Sequence, residues 1–111
     1  LRPQIKLIEA VQGEIGIELA RHHKPDLILL DLHLPVLMGD EVLARLKLYP
    51  ETQQIPVIIV SANATKGQIE RLLASGAYTY LTKPLNIKEL LHTIDTVLAD
   101  SDRKGGGSET P

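Results

Sequence analysis

A carboxylate, a hydroxyl and an ammonium stand at the ends of three apolar runs in this sequence. Asp31 closes Asp26-Leu27-Ile28-Leu29-Leu30-Asp31, Ser61 closes Pro56-Val57-Ile58-Ile59-Val60-Ser61, and Lys83 follows Tyr78-Thr79-Tyr80-Leu81-Thr82. If the runs are parallel strands, all three residues reach the carboxyl edge of one sheet, where open α/β folds hold their ligands. Such a trio suits phosphoryl transfer. The carboxylate serves as nucleophile and forms an acyl phosphate. The Lys and Ser hold the non-bridging oxygens, because positioning and charge neutralisation carry most of that chemistry. Ala62 leaves room for the incoming group by being small. Taken singly the residues are ordinary: an Asp after an apolar run is usually a turn or cap residue, and a Lys before Pro is usually solvated. Their joint placement carries the reading.

The elements that would position them follow from periodicity. The runs 26–31 and 56–61 are continuous, as in strands buried on both faces. Residues 78–82 are shorter and more polar, and Ile5-Lys6-Leu7-Ile8-Glu9-Ala10 partly alternates, so both suit outer strands. Ile87, Leu90, Leu91, Ile94, Val97 and Leu98 recur with a helical period, with Asn86 as N-cap and Glu89 three residues on. Ile69, Leu72 and Leu73 define another helix, capped by Thr65 with Gln68 and ended by Gly76. Val42, Leu43, Leu46 and Tyr49 give a third, stopped before Pro50. In 13–23, Ile15, Ile17 and Leu19 alternate and two glycines lower helix propensity. A helix is expected there because parallel strands need a crossover. The order β-α-β-α-β-α-β-α implies an α/β doubly wound parallel sheet. Residues 1–99 form the domain, and 100–111, with Gly105-Gly106-Gly107, read as a flexible polar tail or linker.

Composition narrows the function. The chain has 111 residues, 43% hydrophobic but only 3% aromatic, so one aliphatic core is expected. Twelve Lys and Arg against 14 Asp and Glu give a net charge of −2, without the basic stripe of a nucleic-acid binder. The absence of cysteine removes disulfides, thiol nucleophiles and zinc–thiolate sites. No apolar run approaches the roughly 20 residues of a membrane span, and with no signal peptide a cytoplasmic location is expected. Gly105-Gly106-Gly107-Ser108 lacks the Lys and spacing of a P-loop. His22 and His23 are adjacent and cannot share a helix face as metal ligands. His92 falls on the outer face of the last helix.

The motif segments together resemble the receiver family of two-component signalling. Pro25 through Pro35 and on to Gly39 is similar to that family's phosphoacceptor segment, Ile59-Val60-Ser61-Ala62 to its hydroxyl-bearing strand, and Gly76-Ala77 through Leu81-Thr82-Lys83-Pro84-Leu85 to its lysine segment. The spacings match without a gap, and the resemblance runs from about Ile5 to Leu98. It implies the flavodoxin-like receiver fold, strand order 2-1-3-4-5, with Asp31 as phosphoacceptor and Ser61 and Lys83 on the phosphoryl oxygens. It also implies a cis peptide at Lys83-Pro84, and Tyr80 as the aromatic switch paired with Ser61. Mg²⁺ would be held by Asp31 and the His33 backbone carbonyl, and the side chains of His33 and Asn63 would tune acyl-phosphate hydrolysis. The implied partners are a histidine kinase or histidine phosphotransfer protein and a downstream output domain, and the parent could be a hybrid sensor kinase. Such a domain catalyses its own phosphotransfer and dephosphorylation but is mainly a signalling module.

Two departures stand out. Met38 replaces the usual acid before Gly39. The family's first strand, which carries two acidic Mg²⁺ ligands, and most of its first helix are absent from this sequence. That strand is central in the family order, so residues 5–10 and 26–31 are expected to lose their common neighbour, leaving an unpaired ladder and an incomplete folding unit. Two rivals remain from other classes. A pseudo-receiver would bind partners without phosphate, which intact Asp31, Ser61 and Lys83 oppose. A hydrolase with an aspartyl-phosphate intermediate commonly has a second acid two residues after the nucleophile, where this chain has His33.

Overall fold

The structure is a computed structural model, and it describes residues 4–9, 13–32, 37–62 and 64–109. Strands β1 (Ile5–Glu9), β2 (Leu27–Leu32), β3 (Val57–Ser61) and β4 (Thr79–Thr82) alternate with helices α1 (Gly13–His23), α2 (Leu37–Leu48), α3 (Lys66–Ala74) and α4 (Ile87–Glu109). All strand pairs are parallel, in the order β1-β2-β3-β4. The glycine-bearing 13–23 segment is helical because a parallel pair needs a crossover, which outweighs the propensity cost.

The sheet separates two apolar layers by strand parity. Ile28, Leu30 and Leu32 of β2 with Val57 and Ile59 of β3 face Ile17 and Ala20 of α1, Val42, Leu43 and Leu46 of α2, and Leu72 of α3. Leu27, Ile58 and Leu81 face Ile94 and Val97 of α4. Helices therefore cover both faces, the doubly wound arrangement. The cover is incomplete: α4 packs over β2 to β4, while Ile5 and Leu7 of β1 stay exposed.

One expectation is corrected. β1 lies directly against β2, with Ile5 level with Leu27 and Glu9 level with Asp31, so the expected unpaired ladder between them does not exist. Buried backbone donors and acceptors are costly to leave unmatched, and the two strands satisfy each other at normal spacing. The relative order of the four strands is the one the resemblance implies, with the gap closed. The last helix also runs further than its apolar period. Its backbone stays helical past Leu98 to Glu109, through the stretch expected as a polar tail. Extending a nucleated helix adds one hydrogen bond per residue fixed.

Local signals set the boundaries. Thr65 and Gln68 form a full capping box at α3, and the Glu89 amide donates to Asn86 Oδ1 at 3.1 Å at the start of α4. Gly76 follows α3 with φ +118°, where a side chain would be strained and would also meet the Lys47 stem. Beyond α2, buried Thr52 donates from Oγ1 to the Leu46 carbonyl at 2.6 Å. Lys47 Nζ donates to the carbonyls of Gln53 and Ile55, both at 3.2 Å, and burial pushes this ammonium below the usual lysine range. These bonds fix the turn that delivers Pro56 to β3.

The layers make a direct prediction. Leu30→Ala, at a fully buried position between β2 and the helices, should cost about 2–5 kcal/mol. Leu48→Ala, at a position 73% exposed, should change stability by less than about 0.5 kcal/mol. Urea unfolding of the two variants checks this; equal losses would contradict the layer assignment.

Candidate functional site

Three strands deliver the motif residues to one edge. Asp31 is the penultimate residue of β2, and the register sets Leu32 against Ser61 and Ser61 against Thr82. Lys83 follows β4 at once. Its backbone amide donates to the Ser61 carbonyl at 3.1 Å, which continues the β3–β4 ladder one step past the strand and fixes where the lysine starts. The Lys83-Pro84 peptide is cis, the isomer the resemblance implies.

The side chains of Asp31 and Lys83 meet. Lys83 Nζ lies 2.6 Å from Asp31 Oδ1, with the two side chains 27% and 17% exposed. A pair this enclosed is screened less than a surface pair, and removing one partner leaves a charge short of solvation. Ser61 is only 6% exposed, a buried hydroxyl beside that pair in the sheet. Ala62 is exposed at the start of the next connection. The edge thus offers a carboxylate, an ammonium in contact with it, and a hydroxyl one residue further along the register.

Tyr80 is 41% exposed on the edge strand β4. It is level with Ile59, so it stands on the sheet face that α3 covers. His33 and Asn63 lie outside the described residues, as does the His33 carbonyl expected to ligate a metal. His22 and His23 are exposed at the end of α1 with their rings in edge-to-face contact, and His92 is exposed on α4.

Helix α2 comes close behind Asp31 because Gly39 has no side chain. A Cβ there would fall 2.3 Å from Leu32 Cδ2, next in sequence to Asp31. Two features were not read from the motifs. The β1–β2 register sets Glu9 level with Asp31 at the same edge; its place at the end of an apolar run was the only signal for it. Arg71 of α3 is joined to Asp40 of α2 at 2.6 Å. Nothing in the sequence marks two residues that far apart as partners. Among the described residues no group of three or more His, Cys, Asp or Glu forms a metal cluster, and no helix is long and apolar enough to cross a membrane.

Comparison with known proteins gives a consistent result. The profile of the response regulator receiver domain matches residues 2–95. The polar-differentiation response regulator DivK of Brucella anthropi is 42% identical over 94 residues, covering 85% of this chain and 76% of that protein. The signal receiver domain of a LuxO repressor protein from Vibrio parahaemolyticus superposes with a TM-score of 0.79 at 26% identity, covering 95% of this chain and 96% of that one. The receiver domain of sensor histidine kinase PA1611 from Pseudomonas aeruginosa PAO1, crystallised with a magnesium ion in its active site cleft, shares the fold. Its TM-score is 0.74 at 24% identity, over 89% of this chain and 99% of that domain. With the profile spanning most of the sequence, this chain belongs to the response-regulator receiver family.

Proposed function

We propose that this receiver domain, in the cytoplasm, accepts a phosphoryl group on Asp31 from a phosphohistidine of a kinase or phosphotransfer protein and passes the signal on through a partner-binding face. The observation that supports this most strongly is the 2.6 Å contact between Asp31 and Lys83 at the carboxyl edge of the sheet, beside buried Ser61.

In the transfer, an Asp31 carboxylate oxygen attacks phosphorus as the phosphorus–nitrogen bond to the donor imidazole breaks. An acyl phosphate forms, and the freed imidazole takes up a proton. Lys83 already touches the nucleophile, so a short movement carries its ammonium onto a non-bridging oxygen as charge builds there. The Ser61 hydroxyl donates to another. Charge already held at the site needs only that short rearrangement at the moment of reaction. Asp31 is the kind of hard oxygen donor that Mg²⁺ takes, and that ion is commonly held by one or two carboxylates with water and phosphate oxygens. When bound, Mg²⁺ would supply further neutralisation of the phosphoryl charge.

Phosphate on Asp31 draws the Ser61 hydroxyl towards the acyl phosphate and opens space that exposed Tyr80 fills. The surface from Thr65 to Leu98 then changes shape. Such a switch moves an existing equilibrium by the difference in contacts between its two states.

Asp31→Asn, nearly isosteric, should abolish phosphate uptake from a small acyl phosphodonor with Mg²⁺ while leaving the chain folded. Lys83→Gln should slow uptake by about 10²–10³-fold, the scale for losing one transition-state charge contact. Radiolabel incorporation reads both, and undiminished labelling of Asp31→Asn would remove Asp31 from the role. Tyr80→Ala tests the switch separately: partner binding on phosphorylation should weaken more than the phosphorylation rate. If both fall together, Tyr80 acts only by packing.

A further inference from the structure

Helix α3 is lightly seated for an element so close to the site. Of its nine residues only Leu72 is buried. It follows Ser61 after only the short connection 62–65. Among the described residues a side-chain pair ties it to α2: Arg71 Nη2 donates to Asp40 Oδ2 at 2.6 Å. Asp40 sits in the first turn of α2, where the helix dipole favours a carboxylate, and its Oδ1 is buried without a hydrogen bond among the described residues. The two halves of the pair therefore stand on the first elements after β2 and β3, the strands that carry Asp31 and Ser61.

We infer that the Asp40–Arg71 ion pair is a latch holding α3 in its resting position and so setting how readily the site responds to a phosphoryl group. This inference rests on the phosphoacceptor reading of Asp31. An ion pair present in one position of α3 and lost in the other biases the equilibrium only by that difference. The Arg71 side chain is 51% exposed, so the bias is that of a largely solvated pair, about two- to fivefold. By linkage, loosening the latch strengthens the binding of anything that favours the released state by the same factor. Tyr80 lies on the same sheet face that α3 covers.

The test uses the full chain with Asp40→Asn, Arg71→Gln and the charge exchange Asp40→Arg/Arg71→Asp. Amide exchange over residues 66–74 and the affinity for beryllofluoride with Mg²⁺, a phosphoryl mimic, are measured together. Each single variant should speed exchange in α3 by about two- to fivefold and tighten beryllofluoride binding by a similar factor. Exchange in α1 should stay unchanged, and the charge exchange should return both readouts towards wild type. Wild-type binding with single variants indistinguishable from it in exchange and affinity would overturn the latch and leave the phosphoacceptor reading standing. Faster exchange spread over α1 as well would also overturn it, by showing general loosening. A wild-type chain that binds no beryllofluoride would overturn both.

Discussion

Asp31 and Lys83 meet across an intervening strand, and much of the local structure serves to bring that about. β2 and β4 both neighbour β3, so their backbones are separated by about 10 Å, twice the spacing of paired strands. Only a long side chain closes such a gap. Lysine has the reach, and its start point is fixed by its own amide on the Ser61 carbonyl. A compact ammonium on a flexible stem can move from carboxylate to phosphoryl oxygen more freely than a guanidinium locked in a planar fork. The site depends on parallel strands ending level, and on a cation long enough to span the strand between them.

In the proposed transfer the same contact would leave the site poised rather than merely paired. A half-enclosed ion pair is costly to break, because each partner is short of solvation when alone. An incoming phosphoryl group would offer the lysine new anionic oxygens as it takes one oxygen of Asp31 into a covalent bond. The charge that stabilised the resting carboxylate would then already be in place for the product. Helices α2 and α3, packed on the strands that carry Asp31 and Ser61, are where such an exchange would be felt first.

The parts legible in the sequence are those fixed by near neighbours in the chain. The Thr65–Gln68 box, the Asn86 cap, Gly76 after α3 and the continuous runs of β2 and β3 each depend on residues a few places apart, and each is present. The two outer strands were readable from polarity, since an edge strand has one wet side. What stayed hidden is pairing at long range. The closing of β1 onto β2 reflects the cost of unmatched backbone groups, which no local pattern encodes. Arg71 with Asp40, and Arg21 stacked 4.0 Å over the Tyr49 ring while bonding Glu51, depend on which helices and turns lie side by side. The backbone of α4 beyond Leu98 carries no apolar period to announce it, because that period marks the packed part of a helix and the backbone ladder continues past it.

The central claim is that Asp31 itself becomes the acyl phosphate. The most direct measurement is to phosphorylate the full chain with a small acyl phosphodonor and Mg²⁺, reduce with borohydride, and map the peptides by mass spectrometry. Reduction converts an aspartyl phosphate to homoserine and leaves an unmodified carboxylate untouched. The account predicts homoserine at position 31, dependent on the donor and absent when the chain is first denatured. Homoserine at another acidic residue, or none at position 31 under conditions in which the chain takes up phosphate, would contradict it.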